Sequence, residues 1–344
     1  MITLGIETSC DETACALVED GRKILASQVA SQIKFHRRFM GVVPEIASRQ
    51  HVRLLQPVLE RALAKARLRL KDCDLISVTN GPGLAGALMV GVTMAKSLAQ
   101  ATGIPIVGVN HLKAHLEPCF LNGGQRALKF PFIGLVVSGG HTALVKARAV
   151  DLYELIAETR DDAAGEAFDK AAKILGLGFP GGPRIERWAG KGDPGRVRLP
   201  NLSSDLGLDF SYSGLKTAVL YYAKKHGLAA DKRRAGKVQH VRDLCAAFQK
   251  TVVMSLVTRA VAACALRRVP RLAVGGGVAA NRALERSLAE ACNERGIKLF
   301  YPRREHTTDN AVMVALRGFR LFKERGPDAL DLACDPALAF CGEG

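Results

Sequence analysis

The chain has 344 residues, of which 48% are hydrophobic and 24% are charged, as in a typical soluble globular protein. This length is comfortable for two α/β lobes and long for one compact core. No stretch approaches the unbroken apolar run of a membrane span, and Glu7 interrupts the N-terminus before a signal-peptide core forms. We therefore expect a cytoplasmic protein with no membrane partner.

The charge and the cysteines narrow the function further. A formal net charge of +16 attracts polyanions, which favours a nucleic-acid substrate but does not separate RNA from DNA. The basic residues cluster, most densely over residues 221–242, although each cluster alone is also what a solvated surface looks like. Nine scattered cysteines without a C-x-x-C pair argue against a disulfide framework and a cysteine-rich zinc site.

The first half of the chain begins with a strand, a polar turn and a second strand. Apolar runs predict strands over 2–6 and 14–18, with a third over 22–27. Helical spacing predicts helices over 44–66 and 84–101, and His111 opens another. Short buried strands are predicted over 74–79 and 104–109.

The order then starts again, with a strand over 132–137, a turn at 138–140 and a strand over 142–148. Helices are predicted over 166–175, 243–266 and 281–295, and strands over 271–275 and 298–301. The last helix, 310–323, has no sheet of its own, so we expect it to pack back on the first lobe. The repeated strand–turn–strand predicts two similar α/β lobes with a ligand in a cleft between them.

Two histidines and a distant acid are candidates for metal ligation. His111 and His115 share one helix face at a chelating spacing, which alone is weak evidence. Leu112 stands where the H-E-x-x-H protease signature requires its glutamate. In the first turn, Glu7, Asp11 and Glu12 are either a solvated loop or groups that orient a cation or an amine.

Two glycine-rich turns have the composition of phosphate- and nucleoside-binding loops. Ser138-Gly139-Gly140 is either a plain hairpin turn or a phosphate cradle. Gly275-Gly276-Gly277 opens space beside a helix that begins near Asn281, although no dinucleotide fingerprint or P-loop is present. Asp309, read locally, is a helix N-cap.

Taken together these segments resemble one family, the bacterial TsaD transferases, which were formerly classed as glycoproteases. The resemblance runs from Met1 to about Phe322, and it is carried by IETSCDETACALV, GVVPEIASRQH, NGPGLAGALMVG, NHLKAHL, VVSGGHTALV, AGEAFDKAAKILGLGFPGGP, FSYSGLKTA, GGGVAAN and TDNAVMVA. It implies the actin-like ASKHA fold, with two duplicated RNase H-like lobes and a central cleft. We expect residues 1–117 with about 305–344 to form the N-terminal lobe, and residues 118–304 the C-terminal lobe.

The resemblance also implies roles for individual residues. His111, His115 and Asp309 would ligate one divalent metal, iron(II) or alternatively zinc. The adenylate substrate would be held by a set from the second half: Val136, Val137, Ser138, Gly139, Gly140, Asp169, Gly182, Glu186, Gly276, Gly277 and Asn281. Archaeal relatives carry a metal-binding tyrosine where this chain has Val136, and many members have aspartate where it has Glu186.

The implied reaction transfers a threonylcarbamoyl group from threonylcarbamoyl-AMP to N6 of adenosine 37 in tRNAs that read ANN codons. We assign Asp11 or Glu12 to accepting or orienting the N6 proton. The implied partners are the tRNA anticodon stem-loop, a TsaB-like paralogue and a TsaE-like ATPase. We expect Lys232, Arg233, Arg234 and Lys237 to bind tRNA, and the helix over 84–101 to form a dimer face unless it packs in the core. The rival functions are a zinc metallopeptidase and, on the same fold, a small-molecule kinase or a non-catalytic scaffold.

Overall fold

A computed structural model describes residues 1–121, 127–202, 207–228 and 238–341. These residues form ten strands and ten α-helices: β1 Ile2–Glu7, β2 Glu12–Glu19, β3 Lys23–Ser31, α1 Ile33–His36, α2 Pro44–Ala66, β4 Leu75–Gly81, α3 Ala85–Thr102, β5 Ile106–Asn110, α4 His111–Ala114, β6 Phe132–Val137, β7 Thr142–Ala147, β8 Tyr153–Glu158, α5 Ala164–Ile174, α6 Gly181–Ala189, α7 Ser213–Lys225, α8 Val238–Leu266, β9 Arg271–Gly275, α9 Arg282–Glu294, β10 Lys298–Phe300 and α10 Ala311–Arg325. They divide into two compact units. Unit 1 comprises residues 1–128, 148–153 and 302–344, and unit 2 comprises 129–147 and 154–301.

Each unit is built on a five-stranded sheet, and the two sheets share one topology. The strand order is β3-β2-β1-β4-β5 in one sheet and β8-β7-β6-β9-β10 in the other. In each, the first strand pairs antiparallel with the second and parallel with the fourth, and the fourth and fifth strands are parallel. The predicted α/β class and the duplication of architecture are therefore confirmed.

The sheet of unit 1 is covered on both faces, so its central strands β1, β2 and β4 are buried along nearly their whole length. Leu4 and Ile6 of β1 pack with residues of α2 and α3, whereas Ala14 and Ala16 of β2 pack with α10. Helix α10 lies very close to β1: a Cβ at Gly5 would sit 2.2 Å from the carbonyl oxygen of Ala311. This close packing positions the turn that precedes α10.

The sheet of unit 2 packs against α5 and α8. Phe168 and Phe248 meet edge to face with ring centroids 5.2 Å apart, at the centre of this core. Helix α8 is long and apolar enough by composition to cross a membrane, which the sequence did not lead us to expect, but 72% of its most apolar window is buried inside the structure. A buried core helix has this character as well.

Several elements differ from the sequence-based expectation. The sequence did not predict helices α6 and α7 or strand β8. Helix α6 begins with Gly-Gly-Pro, a composition that suggests a turn. The same residues are compatible with the first turn of a helix. Helix α4 is a single turn, because Pro118 follows shortly after and a 3-10 turn, Glu117–Phe120, replaces the helix.

Candidate metal centre and substrate cradle

The two histidines lie at the end of β5, where the chain turns into α4. The side chain of Asn110 accepts hydrogen bonds from the backbone N–H groups of Leu112 and Lys113, at 3.0 and 3.1 Å, and so fixes the start of the helix. His111 is 6% exposed and His115 is fully buried, and their ring centroids are 4.6 Å apart. The spacing in the sequence therefore brings the two imidazoles together.

Asp309 reaches the same point from the turn before α10. Its Oδ1 lies 3.3 Å from Nε2 of His115 and 3.6 Å from Nε2 of His111. The N-cap of α10 is Asn310, whose side chain accepts from the N–H of Met313, so the reading of Asp309 as that cap is wrong. One ligand atom from each of the three side chains lies within 4.8 Å of the others.

Glu7 stands behind His111 and was not singled out as its partner. Its buried carboxylate lies 3.3 Å from Nδ1 of His111 and accepts hydrogen bonds from the N–H of Ser9 and the hydroxyl of Thr79. The hydroxyl of Ser9 is also 3.2 Å from Nδ1. Two oxygen acceptors at Nδ1 favour the ring form that carries its hydrogen there, which leaves Nε2 facing Asp309.

The pKa values of the two histidines are shifted in opposite directions. Burial opposes a charge on His111, but the carboxylates of Glu7 and Asp309 outweigh it and raise its pKa to about 9. Burial holds the pKa of His115 below its ordinary value. Burial acts to raise the pKa of Glu7, yet attraction to His111 and their hydrogen bond lower it.

The residues fit a divalent metal. Neither ring nitrogen of the buried His115 has a hydrogen-bond partner among the described residues, although one of them faces a carboxylate. A buried polar atom without a hydrogen-bond partner destabilises the folded state unless a ligand or an ion binds it. Two imidazoles and one carboxylate are a donor set that divalent transition metals accept.

Asp11 and Glu12, the two candidate proton acceptors, occupy the junction of the first turn and β2. Burial and then the charge of Asp309 raise the pKa of Asp11 to about 6. Burial raises the pKa of Glu12 to about 8, against the opposing hydrogen bond from Ser31. That bond, 2.8 Å from the Ser31 hydroxyl to Oε1, ties Glu12 to β3.

The predicted phosphate turn joins β6 and β7 in unit 2. Its backbone is closed by a hydrogen bond from the N–H of Ser138 to the carbonyl of His141, 2.8 Å long, and the Ser138 hydroxyl accepts from the N–H of His141 at 3.1 Å. The side chains of Val136 and Val137 are buried. A Cβ at Gly139 or Gly140 would meet no atom within 4 Å, so their backbone faces open space.

Three further predicted substrate residues lie on α5 and α6. The carboxylate of Asp169 accepts from the N–H of Gly181, the first residue of α6, and Gly182 follows with open space at its Cα. Glu186, on the same helix, accepts from the N–H of Arg282 at 2.9 Å. Asp169 and Glu186 thus connect α6 to α5 and α9.

The glycine loop after β9 completes this group. Gly276 has φ +99°, and a Cβ there would sit 2.3 Å from the carbonyl oxygen of Val137, so only glycine fits. Gly277 faces open space. Asn281 caps α9 through its Oδ1 and donates from Nδ2 to Gln249 at 2.9 Å, a partner that nothing in the sequence indicated.

The structure therefore assembles the predicted residues into two groups, one in each unit. In unit 1, His111, His115 and Asp309 converge, and Glu7 and Ser9 join them. In unit 2, Gly276 packs on the backbone of Val137, Asp169 binds the start of α6, and Glu186 binds the start of α9. Gly139, Gly140, Gly182 and Gly277 each have open space where a Cβ would lie, which suits close approach by a phosphate or a ribose.

Comparison with known proteins agrees with these observations. The family model for TsaD, tRNA N6-adenosine threonylcarbamoyltransferase, matches residues 23–316. The tRNA N6-adenosine threonylcarbamoyltransferase of Anaeromyxobacter sp. (strain Fw109-5) is 49% identical over 339 residues, covering 98% of this chain and 99% of that protein. The protein of the same name from Dictyoglomus turgidum is 46% identical over 338 residues and 98% of both chains.

Solved structures of low sequence identity share the fold. Component A of the (R)-2-hydroxyglutaryl-CoA dehydratase of Acidaminococcus fermentans has a TM-score of 0.54 at 15% identity, over 93% of this chain and 98% of its own. Full-length HypF has a TM-score of 0.58 at 12% identity, over 95% of this chain and 47% of its own. These proteins have the actin-like fold, so the predicted fold family is confirmed.

The family match over most of the chain and the full-length relatives near 50% identity decide the assignment. Members of the matched family are acyltransferases that act on N6 of adenosine in tRNA. The family also implies a divalent metal. This chain belongs to the TsaD family of tRNA N6-adenosine threonylcarbamoyltransferases.

Proposed function

We propose that this chain transfers the threonylcarbamoyl group of threonylcarbamoyl-AMP to N6 of adenosine 37 in tRNAs that read ANN codons. The observation that carries the proposal is the convergence of His111, His115 and Asp309, with no hydrogen bond to either ring nitrogen of His115 from the described residues. The adenine amine is a poor nucleophile because its lone pair is delocalised into the ring. The reaction therefore needs an activated donor and a polarised carbonyl.

His111, His115 and Asp309 would hold the metal, and Glu7 would orient His111. A bound divalent ion supplies Lewis acidity toward the donor carbonyl. Iron(II) is the proposed ion, because two histidines and one carboxylate with open positions are typical of non-haem iron sites; zinc is the alternative. Val136, where archaeal relatives carry a metal-binding tyrosine, has no ligand atom to offer.

The residues of unit 2 are proposed to bind the adenylate. Ser138, Gly139 and Gly140 offer backbone N–H groups and a hydroxyl to a phosphate. Gly182, Gly276 and Gly277 offer backbone surface to the ribose or the base, and the N-terminus of α9 behind Asn281 favours an anion. Asp169 and Glu186, already engaged with backbone N–H groups, would keep α6 in place beside the ligand.

Asp11 is the better candidate of the two proposed proton acceptors. Near neutral pH its carboxyl, with a pKa of about 6, is largely ionised, whereas that of Glu12, with a pKa of about 8, is largely protonated. Glu12 is also engaged with Ser31. A general base must be ionised before it accepts a proton.

The proposed setting is the cytoplasm, with the tRNA anticodon stem-loop as the substrate and a TsaB-like paralogue and a TsaE-like ATPase as partners. The exposed side of α3, which includes Met89, is the candidate dimer face, while its small residues Ala87, Gly91 and Ala95 are buried against the unit 1 core. The predicted tRNA-binding residues Lys232, Arg233, Arg234 and Lys237 lie outside the described residues.

One experiment tests the proposal against its rivals. The chain is incubated with its partners, threonylcarbamoyl-AMP and unmodified tRNA, and the digested nucleosides are weighed by mass spectrometry. We expect the mass of the threonylcarbamoyl group on adenosine, and its absence would overturn the proposal. A peptidase is disfavoured because Leu112 replaces the required glutamate, and a kinase has no use for the histidine pair.

A further inference from the structure

A basic cavity of about 330 Å³ lies in unit 2, lined by Arg184, Arg187, Trp188, Lys191 and Arg242. Four of these five residues are cations. Within the described part of the chain, no carboxylate is paired with these cations, and they lie beside an aromatic ring.

Helix α6 and the turn after it present this charge on one side. Arg187 and Trp188 lie three and four residues after Arg184, and Lys191 lies four and three residues after them, so the four side chains share a face. Ile185 is buried in the unit 2 core and separates this face from that of Gly182 and Glu186. The cavity is thus distinct from the proposed adenylate residues.

The fifth residue, Arg242, is brought alongside by tight backbone packing. A Cβ at Gly192 would sit 2.1 Å from the carbonyl oxygen of Arg242, so the turn after α6 lies directly on α8. The buried carboxylate of Asp243 accepts from the N–H of Asp193 at 2.8 Å and from the side chain of Gln239 at 2.7 Å. These contacts fix α6 and α8 relative to each other, so the cavity is preformed.

We propose that this cavity binds the RNA backbone of the tRNA substrate, with Trp188 stacking on an unpaired base. Clustered arginine and lysine neutralise phosphates, and an indole ring stacks on unstacked bases of single-stranded RNA. Trp188 is partly buried against the unit 2 core and also lines the cavity. The inference rests on the proposed function, since it takes tRNA as the substrate, but its residues are separate from the reacting groups.

Trp188 is the single tryptophan of the chain, so its fluorescence reports on this cavity alone. The full-length chain is titrated with an anticodon stem-loop RNA, in the absence of threonylcarbamoyl-AMP, at several salt concentrations. We expect saturable quenching of the Trp188 emission. In a second measurement with dye-labelled RNA, followed by anisotropy, Trp188→Leu should raise Kd about 5- to 150-fold, the range for loss of one base–aromatic stack.

The charge is tested with a triple variant, Arg184→Gln, Arg187→Gln and Lys191→Gln. The slope of log K against log salt should become shallower by about 2 to 3, since each lost phosphate contact removes about 0.7 to 0.9. The matched control replaces three other exposed cations, which do not line the cavity, by glutamine: Arg22, Lys71 and Lys298. It loses the same charge and should bind RNA nearly as the unchanged chain does. Circular dichroism checks that each variant is folded.

Several outcomes would overturn the inference. One is RNA binding without any change in Trp188 fluorescence, with the triple variant behaving like its control, while the modified nucleoside still forms. That result leaves the proposed function standing. Quenching by inorganic phosphate or AMP but not by RNA would instead make this a small-anion pocket. Absence of both RNA binding and the modified nucleoside would overturn the proposed function, and this inference with it.

Discussion

Replacing Glu7 by glutamine tests how the protein prepares His111 for a metal. The carboxylate is buried and accepts from Ser9 and Thr79 while facing Nδ1 of His111 at 3.3 Å. Glutamine keeps the size of the side chain but removes the charge and turns one acceptor oxygen into a donor. The Nδ1 hydrogen of His111 then has a weaker acceptor. The His111 ring is therefore held less firmly in the orientation that points Nε2 toward Asp309.

The expected magnitude follows from this contact. Loss of a carboxylate that orients a ligating histidine lowers metal affinity about 10- to 100-fold. That range corresponds to about 1.4–2.8 kcal/mol of binding free energy. Thr79→Val, which removes only the hydroxyl that donates to Glu7, leaves the charge in place and should have a smaller effect.

The assay is competition for iron(II) or zinc between the protein and a chromophoric chelator, with no substrate present. Asp243→Asn is the control, because it removes a buried carboxylate that belongs to unit 2, whereas the histidines belong to unit 1. It should leave metal affinity unchanged. If Glu7→Gln binds the metal as tightly as the unchanged chain does, Glu7 does not orient His111 and the reasoning fails.

Three further substitutions test separate parts of the structure. Gly276→Ala should destabilise the chain by at least about 1 kcal/mol in urea unfolding, because of the positive φ and the 2.3 Å approach to Val137; unchanged stability would contradict the tight packing there. Arg317→Met should cost about 3–5 kcal/mol in the same assay, since it removes a fully buried cation 3.3 Å from Glu117. Unchanged stability would argue against a buried ion pair. Adding Glu117→Gln should not recover the loss, because Arg320 still pairs with Glu117 at 2.9 Å. Asp11→Ala should abolish nucleoside formation while metal content persists, and full activity would exclude Asp11 as the proton acceptor.

Much of the fold follows from patterns that the sequence displays openly. The apolar runs at 2–6 and 132–137, each followed by a polar turn and a second strand, indicated the two duplicated sheets. The helix α6 was missed because its first residues, Gly181-Gly182-Pro183, have the composition of a turn. Its identity depends on burial of Ile185 and Ala189, which is a tertiary effect.

The candidate site was only partly within reach of local reasoning. The histidine pair shows in the spacing, but Asp309 is 194 positions beyond His115, and only the resemblance joined them. The physical link is α10, which packs on β1 at Gly5 and so carries Asp309 to the histidines. Local reading instead suggested a helix cap, a role that Asn310 fills.

Glu7 illustrates a different limit. The sequence placed three acids in one turn, and nothing in that turn distinguished them. The strand register in the structure distinguishes Glu7 from the other two acids. Glu7 is the last residue of β1, opposite Ala14, and its side chain is fully buried. Glu12 is instead paired with β3, where Ser31 hydrogen-bonds to it.

The central claim, joint ligation by His111, His115 and Asp309, is tested most directly by metal analysis. The purified chain and the variant His115→Ala are reconstituted with iron(II) or zinc under anaerobic conditions, desalted, and analysed by inductively coupled plasma mass spectrometry. We predict one metal ion per chain in the unchanged protein and loss of that ion in the variant. Equal metal content in both proteins, or a metal-free chain with full transferase activity, would contradict the account.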